Sequence, residues 1–213
     1  MLQDLFSKYM NVAQKADYLF KTIQEKYPLS VKCRIRCCDC CHAVFGVFPI
    51  EAAYLNYHFN QLERKVKRDV LRRAEKAETE MLKTKDALKV FDDKPEMKAY
   101  GLGKQRIRCP FLGDREECIL YERRPVICRV YGVPYSLKNG NKESSYVCGL
   151  SGFQEKATYS AVKLDGLYHE LCQLSKEMFT GTASTHPEKA SLMLPLSRVL
   201  RMSFEEIMKG DFE

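Results

Sequence analysis

The chain has 213 residues, 45% of them hydrophobic, and a formal net charge of +7; that length suits one domain with its own core. No run of about 18 apolar residues occurs, which excludes a transmembrane helix. The first residues lack the apolar run ending in small residues of a secretory signal, so a cytoplasmic location is expected.

In chain order, residues 2 to about 27 are predicted as an amphipathic helix. Leu5, Tyr9, Ala13, Ala16, Phe20, Ile23 and Tyr27 recur at steps of three and four, and Pro28 ends it. This stripe is expected to pack on the domain rather than form a dimer seam. Residues 28–152 are expected to form the cysteine-bearing domain. Within it, 29–41 read as an irregular loop and 42–48 as a short strand. Pro49 then suits the first position of a helix, with Glu51 in its first turn.

A long polar helix is predicted over about 61–83. Its stripe is Leu62, Val66, Val70, Ala74, Ala77 and Met81. The outer face mixes Arg64, Arg72, Arg73 and Lys76 with Glu63, Asp69, Glu75 and Glu78. Mixed signs favour a solvated helix, and a dedicated nucleic-acid face would be more purely basic. Residues 84–104, with Pro95, Gly101 and Gly103, read as a linker. A β-hairpin is expected around Asn139-Gly140, a strong turn signal. From about 153 the chain reads as helical, packing on the same domain along Leu164, Leu167, Leu171, Leu174 and Met178. Beyond Thr185-His186-Pro187, Ser203-Phe204-Glu205-Glu206 is a capping-box pattern opening a last short helix. The predicted fold class is mainly α with a small β-hairpin and an irregular cysteine-rich core, an α+β fold of few strands.

Ten cysteines are the outlying number. Cys33, Cys37, Cys38, Cys40 and Cys41 crowd one short stretch; Cys109, Cys118, Cys128 and Cys148 follow, and Cys172 stands apart. In a reducing compartment, clustered cysteines point to metal or redox chemistry rather than to disulfides. Thiolate binding needs sulfurs converging to about 2.3 Å from one ion. The C-x2-C spacing presents two sulfurs from one turn, and two copies overlap here, Cys37-x2-Cys40 and Cys38-x2-Cys41. Arg34, Arg36, Arg108, Arg123, Arg124 and Arg129 lie near the cysteines in sequence, and positive charge favours thiolates. Cys172, in an apolar helix, reads as an ordinary small core residue. His42, although adjacent to Cys41, is disfavoured as a ligand beside it, and His58, His169 and His186 lack ligand spacing. No phosphate-binding glycine loop and no nucleophile elbow occurs.

These residues carry a resemblance. Cys33-x3-Cys37-x2-Cys40-Cys41, then Cys109-Pro110-Phe111-Leu112, then Cys118-x2-Tyr121-x2-Arg124-Pro125-x2-Cys128-Arg129 resemble the bacterial YkgJ-like cysteine-cluster family, described as a zinc- or iron-chelating domain. The likeness spans roughly residues 30–150. Cys38 departs from it, standing where the family usually has a small residue, often glycine; it is an additional candidate ligand or a substitute. The resemblance implies eight metal ligands, Cys33, Cys37, Cys40, Cys41, Cys109, Cys118, Cys128 and Cys148. Eight thiolates suit two tetrahedral zinc sites, or one four-iron cluster with cysteines to spare.

Supporting roles fall to Tyr121, which can pack over the site or donate to sulfur, and to Arg124 and Arg129, which can neutralise it or bind an anion. Pro110 and Pro125 would stiffen the turns that aim the ligands. The cofactor is therefore expected to be an iron–sulfur cluster or Zn2+, its role structural, redox or cluster-supported. Similar domains occur in flagellin lysine methylases, which are credited with an iron–sulfur cluster, so a cluster-dependent transferase is one alternative. A zinc-stapled interaction module, with a protein partner, is the other. An open coordination position would favour the enzyme and a closed four-thiolate shell the module. Neither membrane nor nucleic acid is an expected partner.

Overall fold

Four helices make most of the core of the computed structural model, which describes residues 2–94, 97, 101–139, 142–154, 157–184 and 186–212. The helices, numbered in chain order, are α1 (Leu2–Lys26), α2 (Pro49–Asn60), α3 (Arg64–Ala87), α4 (Val126–Val130), α5 (Leu164–Gly181), α6 (Leu196–Val199) and α7 (Phe204–Lys209). The strands are β1 (Gly46–Val47), β2 (Tyr135–Asn139), β3 (Lys142–Tyr146), β4 (Val162–Lys163) and β5 (Leu194–Pro195). The fold is mainly α with a small β part, as composition and periodicity led us to expect.

The stripe of α1 faces inward. Tyr9, Ala13 and Ala16 are fully buried, and the helix packs on α4, α5 and α2. Alanines at two of these positions let the backbones approach, while Tyr9 fills the gap beside them. Leu164, Leu167, Leu171, Leu174 and Met178 of α5 are all buried against α1 and α2. At the end of the chain, Ser203 Oγ accepts from the Glu206 N–H at 3.1 Å, and Glu206 Oε2 accepts from the Ser203 N–H at 2.6 Å. This is the capping box that the sequence pattern foretells.

The boundaries differ from expectation in three places. Helix α3 begins at Arg64 and runs to Ala87, with a 3₁₀ turn over Leu88–Phe91, so the expected linker is helical in its first part. Leu88 is buried and holds that extension on the body. The expected strand over 42–48 is reduced to Gly46–Val47 and a single bridge between Ala43 and Arg106. Pro49 starts a helix immediately afterwards and leaves no room for more. Gly46 pairs with Pro195, and a Cβ there would lie 2.7 Å from the Met193 Cβ, so a side chain would force the two strands to shift.

The third difference is α5, which starts at Leu164 rather than near 153. Phe153 and Tyr159 instead stack edge-to-face with each other and with Tyr27. Val162 pairs in parallel with Tyr135, adding β4 to the hairpin sheet. The hairpin has the expected strands, with Asn139 opposite Lys142; its turn residues Gly140 and Asn141 lie outside the described residues, as do Pro95 and Thr185. Among the described residues, no helix is long and apolar enough to cross a membrane.

Candidate metal centre

Each cysteine segment is shaped by its own short-range bonds. In the first block the Cys37 N–H donates to the Arg34 carbonyl at 2.9 Å, closing one turn, with Arg36 in left-handed backbone at φ 69°. The next turn is a 3₁₀ helix, Asp39–Cys41, in which the Cys41 N–H donates to the Cys38 carbonyl at 2.9 Å. This is the closure that a C-x2-C spacing allows. In the second block, Cys109-Pro110-Phe111-Leu112 is a tight turn with proline at its second position; the Leu112 N–H donates to the Cys109 carbonyl at 3.0 Å. Leu112 then bridges to Cys118 across a small loop. Pro125 caps α4, and one turn into that helix stands Cys128.

Longer-range bonds gather these segments. The Cys109 N–H donates to the Cys41 carbonyl at 2.7 Å, and the Ile107 N–H to the His42 carbonyl at 3.0 Å. The Cys148 Sγ lies 3.3 Å from Asp39 Oδ2, and the Gly152 N–H donates to the Ser30 carbonyl at 2.8 Å. Gly132, just beyond α4, cradles the Cys33 sulfur, and a Cβ there would lie 2.0 Å from it. Four stretches of chain, around Cys33–Cys41, Cys109–Cys118, Cys128 and Cys148, thus meet in one region.

Electrostatics record the same proximity. Cys40 is electrostatically coupled to Cys33, Cys109, Cys118 and Cys128, and Cys37 to Cys33 and Cys148. Burial pushes the Cys109 thiol up to about 12, the Cys148 thiol to about 11, and Cys118 and Cys128 upward. Desolvation of its sulfur raises Cys33 to about 12, although the residue as a whole is exposed. Cys40 is raised chiefly by its hydrogen bond with Cys41. Arg124 opposes these shifts at Cys33, Cys40, Cys118 and Cys128, so its guanidinium is the cation that this group of sulfurs shares. All ten cysteines are free thiols. Among the described residues, no three His, Cys, Asp or Glu side chains stand in metal-holding geometry.

The three expected supporting residues have distinct positions. Arg124 lies 3.8 Å above the Tyr121 ring, a cation–π contact that fixes its guanidinium, and its Nε donates to the Tyr121 carbonyl at 2.9 Å. Tyr121 is itself half exposed. Arg129 is buried and donates to the Arg124 and Glu122 carbonyls, each at 2.8 Å, and to Asp17 Oδ2 at 2.5 Å. Its donors are directed to the loop that carries Arg124 and to helix α1. Cys38 lies at the surface side of the first block, half-buried, and His42 Nδ1 is 3.1 Å from the Cys38 carbonyl. Cys172 sits on α5 against the apolar core.

Three contributors, Asp39, Arg73 and Glu51, were not legible as such in the sequence. Asp39 binds Arg106 through both its carboxylate and its carbonyl, joining the two cysteine blocks. Its place between Cys38 and Cys40 was the only available signal. Arg73, which reads as part of the solvated face of α3, donates to the Pro110 carbonyl at 2.8 Å and steadies the turn after Cys109. Glu51 reads as a helix-dipole residue but reaches α4: its Oε1 accepts from the Val126 N–H at 2.8 Å. Tyr9 is fully buried, and its hydroxyl has no hydrogen-bond partner among the described residues.

Cysteine-bearing loops that converge on a helical frame define a cysteine-cluster domain. The chain belongs to the CxxCxxCC family, described as "Putative zinc- or iron-chelating domain", whose model matches residues 32–149, over half of the chain. No curated protein and no solved structure matches the chain. The donor set suits such a metal: thiols dominate, and thiolate is a common ligand of both zinc and iron, while the Asp39 carboxylate beside Cys148 adds a harder oxygen.

Proposed function

We propose that this chain binds zinc or iron, the latter as ion or iron–sulfur cluster, through thiolates drawn from Cys33, Cys37, Cys40, Cys41, Cys109, Cys118, Cys128 and Cys148. The observation that carries the reading is the meeting of four separate chain segments at their cysteines. Core formation alone does not require it, since of these eight residues only Cys148 is fully buried, Cys33 is exposed and the rest are half-buried.

Metal would close the shell by drawing the loops together, because thiolate ligation and local ordering are coupled. Bound metal supplies a cation that keeps the thiols deprotonated. Arg124, held over Tyr121, would offset the surplus negative charge of a multi-thiolate centre. Arg129 would act at one remove, bracing the loop on which Arg124 stands. Cys38 lies outside this set.

The test is metal and acid-labile sulfide content of protein purified without oxygen, with its absorbance spectrum. Iron with matching sulfide and a broad visible band supports an iron–sulfur centre. Zinc at one or two per chain, without colour, supports a structural zinc centre. Neither metal, with ten titratable thiols, overturns the reading.

A further inference from the structure

Beneath Cys128 lies a buried polar layer that belongs to neither cysteine block. Glu51 is 2% exposed. Its Oε2 accepts from the Phe48 N–H at 3.1 Å, at the start of α2, and its Oε1 accepts from the Val126 N–H at 2.8 Å, at the start of α4. One side chain thus satisfies a free N–H at the head of each of two helices. Helix α4 is a little over one turn long and bears Cys128 and Arg129. So short a helix has little stability of its own and depends on what holds its ends. Arg129 fixes the far side of this arrangement, with its donors on Asp17 and on the carbonyls of 122 and 124. Among the described residues no side-chain cation is bonded to Glu51; the two backbone hydrogen bonds stabilise its carboxylate, with the Arg129 charge acting after them.

We infer that Glu51 is a positioning residue for the metal centre, pinning the start of α4 to the head of α2 so that Cys128 stands in register with the other sulfurs. The inference rests on the metal-binding reading above. A carboxylate has acceptors for both N–H groups at once, whereas an amide must turn an NH2 toward one of them. In Glu51→Gln one of the two helix starts therefore loses its acceptor and meets a donor. Asp keeps both acceptors but falls one methylene short.

A matched control acts on the head of the same helix from α5. Ser175 Oγ accepts from the Ile50 N–H at 3.2 Å and donates to the Leu171 carbonyl at 2.8 Å. Ser175→Ala thus damages the head of α2, and the packing of α5 on it, without touching α4.

The experiment loads wild type, E51Q, E51D and S175A with zinc or iron, whichever the wild type retains. It follows release to an excess of chelator and, in parallel, the alkylation rate of Cys128 in metal-free protein by peptide mass spectrometry, with Cys172 as internal reference. The expected result is release at least about tenfold faster from E51Q, an intermediate rate from E51D, and faster alkylation of Cys128 in both. S175A should melt earlier but match wild type in release and alkylation. If E51Q does not fold, E51D carries the comparison. Equal release and alkylation in wild type and the Glu51 variants overturns the positioning role while leaving metal binding intact. Equal effects of S175A and E51Q also overturn it, reducing Glu51 to general support. A wild type that retains no metal removes both readings.

Discussion

The backbone of Cys109 is bonded to that of Cys41: its N–H donates to the Cys41 carbonyl at 2.7 Å. The two cysteine blocks, far apart in sequence, are therefore joined at the residues that carry the sulfurs. A backbone bond survives side-chain replacement, so exchange of either cysteine should leave this junction in place.

Cys109→Ser and Cys128→Ser should accordingly keep the fold and lose metal. Serine oxygen is a harder and poorer ligand for zinc or iron than thiolate. Metal content should fall by at least half in each variant. Cys172→Ser, on α5 and against the core, should keep the full wild-type metal content. Elemental analysis of the three proteins, beside far-ultraviolet circular dichroism for fold, checks this.

Removal of the shared cation should weaken the centre without dismantling it. Arg124→Met keeps the apolar stem over Tyr121 but takes away the positive charge acting on Cys33, Cys40, Cys118 and Cys128. A loss of about tenfold in metal affinity is expected, roughly 1.4 kcal/mol. Tyr121→Phe retains the ring and should change affinity little. Competition against a chromophoric chelator separates the two.

Asn56 offers a test of the scaffold apart from the site. Its Nδ2 donates to the carbonyls of Val199 and Met202, each at 3.0 Å, and its Oδ1 accepts from Asn60 at 2.8 Å. Asn56→Ala leaves the buried Val199 carbonyl and the part-buried Met202 carbonyl without this donor, which costs roughly 2 kcal/mol. The thermal midpoint should fall, while metal stoichiometry of the folded fraction stays at the wild-type value.

The thiols set the direction of the pH dependence. Burial holds Cys109 at about 12 and Cys148 at about 11, and raises Cys118 and Cys128. Near pH 7 these groups keep their protons in the metal-free fold, so each that becomes a ligand must release one. Metal uptake should expel protons, and affinity should rise with pH by about one decade per pH unit for each proton expelled. In the metal-free protein the sign is opposite for stability. Above about pH 9 the unfolded thiols ionise while the folded ones remain protonated, so stability should fall. Unbuffered titration with zinc, and melting curves across the alkaline range, measure these two effects.

Helical periodicity disclosed most of the frame. The stripes of α1, α3 and α5, the proline at the head of α2 and the terminal capping box are all local patterns, and local patterns survive into the fold when a core lies beneath them. The cysteine spacings likewise announced tight turns, and the Asp39–Cys41 turn and the Cys109–Leu112 turn follow from residues within four positions of one another. The junctions were out of reach. That Cys41 meets Cys109, that Asp39 takes Arg106 and faces Cys148, and that Glu51 reaches α4 depend on chain segments brought together by packing. An acidic residue near a helix start has the same sequence signature whether its carboxylate faces water or caps a second helix. Only the burial of Glu51 between α2 and α4 decided which, because a buried carboxylate must find donors and the free N–H groups of two helix heads were the donors at hand.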